Sequence, residues 1–579
     1  MPAPIGKRRW TTVHEIGRRG VLRGAGWLGT ALALGACARI PTSGDVHSER
    51  LTGAAASDVP YVQPQPPADG ASPEQIVSGF VLAGVGPEDD FGVARQYLTT
   101  SARSSWDPAA GVTLYSGGTE LAITLEDRST VRLSVQAVGH VDRAGVRTLY
   151  GGASAREVEL GVVQEDGQWR ISDPPAGIFL SDSAFALLFR AVRLYFLDPR
   201  QIHLVPDPRW FFARDVTASA LSALESGPAA PFAKAVRTAI PESAHLGSAP
   251  VSAGGDGVLQ LELPGTIASL DAGARDLAIA QIQATLRSVP ALSDVRMLRD
   301  GADVEPPSDG PSRALPGHRP IAAGTLGIVS LADVGAGTKA EQMVPALAKE
   351  TVRAPAMSQA SPLAAALRKD RSAVVLCSSD GSIPRREVAV GPDLLPPRID
   401  DAGFVWSPTR TGSGALLALS SRGTEDDAKV DASWLDGRRL LSFDLAADAT
   451  RVLVLSSDDG SPRLDLSAVV RDEHGVPRAL AEPVQLPTSL TSLRMATWYD
   501  ESSVLLLGED AESSAPRAGI MGLQEDGDRL PAPPATVDWV AGTGVTVAVW
   551  ATTSDGRLLR VEGSSWGDVE MDARDPSFY

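Results

Sequence analysis

The chain has 579 residues, 43% hydrophobic and 21% charged, with a formal net charge of -18. That length allows about three or four ordinary domains, each with its own core, and that composition excludes a disordered or fibrous chain. An acidic surface repels phosphate backbones, so nucleic acid is not an expected partner.

The N-terminus carries Lys7, Arg8, Arg9, Arg18, Arg19 and Arg23 against a single Glu15, then an uncharged run from Gly24 to Ala36. The run ends in Leu34-Gly35-Ala36-Cys37, a Leu and two small residues before a Cys, which is the layout of a bacterial lipoprotein signal over residues 1–36. It is too short to span a bilayer, which needs roughly 20 apolar residues. Cys37 is thus the expected lipidation site and the first mature residue, and diacylglycerol on its sulfur supplies the two acyl chains that stable anchoring needs. Arg18-Arg19-Gly20-Val21-Leu22-Arg23 also resembles a twin-arginine signal; basic leaders contain Arg pairs by default, so both export routes stay open. With Cys37 lipidated, Cys377 has no cysteine partner, and its place in the apolar run Ala373-Val374-Val375-Leu376 predicts an inert buried thiol.

Residues 37–71 are Pro-rich and aperiodic, as expected of a tether beginning at the lipidated Cys. A domain over 72–182 opens at Ser72-Pro73-Glu74-Gln75, a capping Ser, a Pro at the first helical position and a Gln at the third. Two helices are predicted, one with Ile76, Val77, Phe80 and Val81 as its apolar stripe, the other with Phe91, Ala94, Tyr97 and Leu98 and closed by Trp106. Strands follow at 111–115, 120–125, 130–138, 156–165 after a Gly-rich turn, and 168–171. Helices before an antiparallel sheet make an α+β cone that resembles NTF2-like domains; His140 is expected near the surface.

Over 191–303 the order is a strand at 192–196, Leu204-Val205-Pro206, Arg209, a helix at 217–224 stopped by Ser226-Gly227-Pro228, a strand at 257–263, a helix bearing Ala278, Ile279, Gln281, Ile282 and Leu286, and a strand closing on Asp300-Gly301. This order resembles the α/β GerMN domain, an interaction module. Pro306, Pro307, Pro311, Pro316 and Pro320 mark a linker at 304–322.

From 323 to 579 short apolar strand cores near Ile328, Val375, Leu417, Leu453, Leu505 and Val547 recur about every 40 to 50 residues, the mark of an all-β propeller with about six blades. Asp380-Gly381, Asp459-Gly460, Asp526-Gly527 and Asp555-Gly556 are expected hairpin turns. Trp406, Trp498, Trp539 and Trp550 are expected to pack between blades rather than to form a sugar platform.

Lipobox, tether, NTF2-like cone, single GerMN domain and propeller, with Arg39-Ile40-Pro41-Thr42-Ser43-Gly44 after the Cys, together resemble the LpqB family of actinobacterial lipoproteins over nearly the whole chain. The resemblance implies a lipid-anchored protein on the extracytoplasmic face of the cell membrane, partnered with the sensor histidine kinase of a two-component system that governs cell-wall and division functions. Glu425-Asp426-Asp427 and Glu509-Asp510 depart from the family pattern and are expected to be solvated loops. A binder of cell-wall glycan or peptide is the alternative.

An enzyme is not expected, and neither a cofactor nor a metal is. Gly563-Ser564-Ser565-Trp566-Gly567 has nucleophile-elbow spacing, but the motif requires a following helix and a later His, and the last His is His474. His14, His47, His140, His203, His245, His318 and His474 lack a second ligand at metal-binding spacing, and no Gly-rich phosphate loop is present. If Cys37 carries the anchor, Cys37→Ala leaves the protein unprocessed at the membrane or released to the medium; an unmodified Cys37 in the mature membrane-bound protein, by mass spectrometry, contradicts it.

Overall fold

A computed structural model describes residues 64–579 except 231, 250, 254–256, 306–307, 335–339, 459 and 526. The signal, Cys37 and the tether up to residue 63 lie outside the described residues, as do His14, His47, Asp459 and Asp526. The described residues belong to one compact unit.

Helix Pro73–Leu82 begins where the capping box placed it: the Ser72 hydroxyl accepts from the Gln75 amide at 3.3 Å, and Gln75 Oε1 accepts from the Ser72 amide at 2.9 Å. Its stripe of Ile76, Val77, Phe80 and Val81 is buried. Three helices precede the sheet rather than two, Pro73–Leu82, Glu88–Arg95 and Thr100–Ser105. The Thr99 hydroxyl accepts from the Ala102 amide and restarts the helix, so Trp106 closes the third helix and not the second.

The sheet runs in the order Gln168–Asp173, Arg147–Glu165, Thr130–Asp142, Gly111–Tyr115, Ile178–Ser181, with Ala122–Leu125 also paired to Thr130–Asp142. Its central hairpin is longer than the sequence suggests. The chain reverses around Gly145, whose φ is 83°, while Gly151 and Gly152 sit inside the second strand, beside a shift in register. Gly marks an irregularity here, not the turn. His140 is half-buried within the first strand of that hairpin, not on the surface.

The next module packs the hairpin Phe189–Leu197 and His203–Phe212 against helices Val216–Ser226 and Ala272–Arg287, beside the sheet Val251–Ala253, Val258–Glu262, Asp294–Arg299 and Ala302–Val304. Gly227, at a φ of 95°, ends the first helix. Gln281 is fully buried and accepts from the Ala239 amide at 2.9 Å, so a core Gln satisfies an otherwise orphaned backbone donor. The Pro-rich segment that follows also contributes structure: Ser312–Arg313 pairs in parallel with His203 and Leu204.

Six blades follow. The first joins Gly327–Ser330 and Pro320–Gly324 to the C-terminal strand Ala573–Phe578; the second runs Val352–Met357 to Arg386–Val390, the third Arg398–Ile399 to Ala428–Asp431, the fourth Arg439–Leu445 to Val484–Gln485, the fifth Leu490–Trp498 to Gly527–Arg529 and the sixth Val537–Thr543 to Ser565–Val569. The third and fourth also touch edge to edge through Asp431 and Ala479.

Two expected blade cores are not core. Leu417 is 58% exposed because its strand buries the alternate residues Leu416 and Ala418, and Val547 is 79% exposed in the turn before Ala548–Thr553. The blade period sets where strands fall, but within a strand alternation decides which apolar residue faces in. Asp510 is also not a solvated loop residue: it is buried, accepting from the amides of Glu512 and Ser513 and paired with Arg517 and Arg529. Trp406, Trp498, Trp539 and Trp550 are all buried, and Cys377 is a free, fully buried thiol that burial pushes up to about 11.

The first blade depends on the last strand of the chain, which pairs antiparallel with Pro320–Gly324 and touches both neighbouring blades. Deleting residues 573–579 exposes the edge of Pro320–Gly324 and is expected to produce aggregates on size-exclusion chromatography. A truncated chain that stays monodisperse with a cooperative thermal transition contradicts closure by this strand.

Candidate functional site

A buried cluster of polar groups lies where the GerMN-like module meets the propeller. Glu501, in the turn between Leu490–Trp498 and Ser503–Asp510 of the fifth blade, has a side chain only 4% exposed. Its Oε1 accepts from Tyr195 Oη at 2.7 Å and from Arg313 Nη2 at 2.5 Å, and its Oε2 accepts from Arg313 Nε at 2.9 Å. Arg193 lies 3.9 Å away and donates to Ser502 Oγ at 3.0 Å. Burial, and next the Glu501 charge, drive the Tyr195 pKa strongly upward, so the phenol keeps the proton it donates.

A second cluster joins Asp401 of the third blade to Arg200 and to His203, whose Nε2 is 2.5 Å from Asp401 Oδ2. Burial works against a charged His203, yet the hydrogen bond and charge of Asp401, with Asp198 and Asp448 nearby, outweigh it and raise the His203 pKa. Burial likewise opposes ionisation of Asp401, but His203 and Arg200 lower its pKa on balance. A cavity of about 470 Å³ separates the modules, lined on one side by Arg200, His203 and Arg313 and on the other by Arg398, Asp444 and Trp498. Asp444 is paired with Arg398 and accepts from the Thr497 hydroxyl and the Trp498 amide. The carboxylates of this junction are therefore tied to cations, and what they do is hold modules in register.

The cone is tied in by Gln524 of the fifth blade. Its Oε1 accepts from the Arg147 amide at 3.2 Å, its carbonyl from Arg147 Nη1 at 3.1 Å, and its Nε2 donates to the Pro208 carbonyl at 2.9 Å, so one side chain bridges cone, GerMN-like module and propeller. Arg147 stacks on Phe185 and Trp210, and Arg209, buried against Asp207, donates to the Ala144 carbonyl. Sequence reasoning missed Arg147 and Gln524, which meet across 377 positions with no local spacing to mark them, and named Arg209 without its partners Asp207 and Ala144.

Of the residues singled out in the sequence, Cys37 lies outside the described residues. Ser565 starts a strand just after the turn at Gly563, whose φ is 61°, and its hydroxyl donates to the Glu562 carbonyl; a strand follows it, not the helix an elbow needs. Among the described residues no three of His, Cys, Asp and Glu gather where they could hold a metal ion. His203 alone of the described histidines joins a buried charge cluster.

Residues 66–186 match the family described as the N-terminal domain of lipoprotein LpqB, residues 193–305 the sporulation and spore germination family, and residues 330–578 the beta-propeller domain of lipoprotein LpqB. Lipoprotein LpqB of Cutibacterium acnes is 30% identical over 85% of this chain and 86% of its own length. The chain belongs to the LpqB lipoprotein family. Lipoprotein LpqB of Streptomyces coelicolor is 26% identical over 92% of each chain, and that of Streptomyces avermitilis 24% identical over 97% of this chain and 99% of its own. Among solved structures TolB from Acinetobacter baumannii is similar at 12% identity with a TM-score of 0.31, over 69% of this chain and 90% of that one. As an LpqB-family member the protein is a membrane-associated lipoprotein, and its modules suggest a non-catalytic role. No helix among the described residues is long and apolar enough to cross a membrane.

Two outcomes follow for this LpqB-family junction. Tyr195→Phe removes a hydrogen bond to a buried charge and is expected to cost about 1.5–3 kcal/mol, read as a lower denaturation midpoint. The raised His203 contributes stability that is complete below pH ~6.5 and is lost as pH rises through its folded pKa; the lowered Asp401 contributes stability present above pH ~3.9 and lost as pH falls through its folded pKa. Thermal stability measured against pH should therefore decline as pH rises above ~6.5, and His203→Gln should flatten that limb.

Proposed function

We propose that this lipoprotein, anchored through Cys37 on the extracytoplasmic face of the membrane, binds the extracytoplasmic domain of a sensor histidine kinase and modulates a two-component system concerned with the cell wall and division. The observation that carries the reading is the rigid joining of three modules by Glu501, Asp401 and Gln524. Such a body offers broad fixed faces to a protein partner, as propellers do.

No phosphate-transfer machinery is identified in the chain, so its effect on signalling comes from binding one kinase conformation more tightly than another. The resemblance supplies the identity of the partner, and the domain ranges 72–182, 191–303 and 323–579 serve as the units of the proposed interaction. Binding to wall glycan is the less favoured reading, because the described tryptophans are buried or half-buried and present no open stacking row.

In-cell crosslinking from photoreactive residues placed on the propeller and GerMN-like surfaces tests the proposal. Recovery of a histidine kinase, with altered kinase output when the lipoprotein is deleted, is the expected result. Capture of peptidoglycan fragments alone, with kinase output unchanged on deletion, overturns it in favour of wall binding.

A further inference from the structure

The propeller has two ends, and the strands nearest its neighbours in the sixth, first and second blades tell them apart. Trp539 to Gly542, Pro576 to Tyr579 and Ala356 to Ala360 line the cavity beneath the GerMN-like module. The earlier residues of the same three strands, Asp538 and Trp539, Arg574 and Asp575, and Arg353, line a second cavity of about 430 Å³. Trp539 belongs to both and divides them, its Nε1 donating to the Pro576 carbonyl at 2.7 Å. The second cavity therefore lies at the mouth away from the junction.

Three arginines and two aspartates line that mouth, in a protein whose net charge is -18. One pair is internally satisfied: Arg353 binds the buried Asp575, which also accepts from the Ala354 amide at 3.1 Å. Asp538 is exposed and accepts from Ser554 Oγ at 2.8 Å. Among the described residues neither Arg371 nor Arg574 has an ion-pair partner. The Arg574 guanidinium lies over Gly556, where a Cβ would come within 3.4 Å of Nη2. Arg371 is half-buried, and burial first, then the charges of Arg410 and Arg353, depress its pKa against the opposing pull of Asp575 and Asp393. Its guanidinium makes no hydrogen bond or ion pair to a carboxylate among the described residues, which leaves its donors open to an anion. Ala354, Arg371 and Asp575 all stand at positive φ, 49°, 58° and 53°, a conformation that costs non-Gly residues energy and clusters at binding sites.

We propose that this mouth of the propeller binds a phosphate group, held by Arg371 and Arg574 with the Ser554 hydroxyl at the rim. Two guanidinium forks match phosphate oxygens, and Arg353 stays committed to Asp575. The site is independent of the kinase reading and lies on the face that the GerMN-like module leaves free.

The test titrates the full chain with inorganic phosphate, followed by intrinsic tryptophan fluorescence and by calorimetry. Saturable binding that weakens by about tenfold or more in Arg371→Gln and in Arg574→Gln, with unchanged melting temperature, is expected. Arg128→Gln, an exposed arginine in a turn of the cone, should leave it unaltered. Separate arms with glycerol 3-phosphate and with phosphatidylglycerol vesicles distinguish a soluble phosphate ester from a lipid headgroup, and competition of either with inorganic phosphate supports the site. Absence of saturable binding in every arm, or equal weakening by Arg128→Gln, overturns it.

Discussion

A carboxylate taken out of water must be paired, and Glu501 is the group through which that constraint shapes this molecule. Burying it costs several kcal/mol, ~20 in the idealised limit, unless good geometry compensates. The compensation comes from Tyr195 and Arg193 on one strand of the GerMN-like module and from Arg313 in the segment that leads to the propeller. The docking of module on blade seen here satisfies Glu501 from all three. Around it a single apolar core continues from Val192, Leu221, Ile279 and Ile282 into Leu453, Leu466, Trp498 and Leu506 of the fourth and fifth blades. Apolar burial supplies the attraction without direction, and the buried charge supplies the direction.

The same logic explains why three modules behave as one. Apolar faces alone would let the cone slide, since small shifts cost little when contacts are non-directional. Gln524 and Arg209 each bond backbone groups across a boundary, and a shift would leave those buried groups unsatisfied. An LpqB-family protein built this way meets any partner as a preformed body, with little ordering entropy left to lose at the interface. Its two propeller ends differ as well: one is covered by docking, and at the other, among the described residues, Arg371 and Arg574 have no ion-pair partner.

Much of the fold is legible in the chain because its signals are local. The capping box at Ser72 and Gln75, the helix stop at Gly227, the turn at Asp380-Gly381 and the blade period each act over a few residues, so composition and spacing determine them. The leader expected over residues 1–36, just before Cys37, rests on a signal of the same kind. The burial of Cys377 and of the propeller tryptophans likewise follows from the apolar runs that hold them.

What only the tertiary structure decided depends on partners far apart in sequence. Leu417 and Leu416 are equally apolar, and the pairing of Ala415–Ser420 with its neighbours determines which one faces in. Glu509-Asp510 reads as a solvated acidic pair until Arg517, Arg529 and two turn amides enclose Asp510. Tyr195 meets Glu501, His203 meets Asp401 and Arg353 meets Asp575 across separations of 306, 198 and 222 residues. Sequence by itself determined the modules, because helix, turn and blade signals are short-range; tertiary structure decided the junction and the cationic mouth, because buried charge is paired through space.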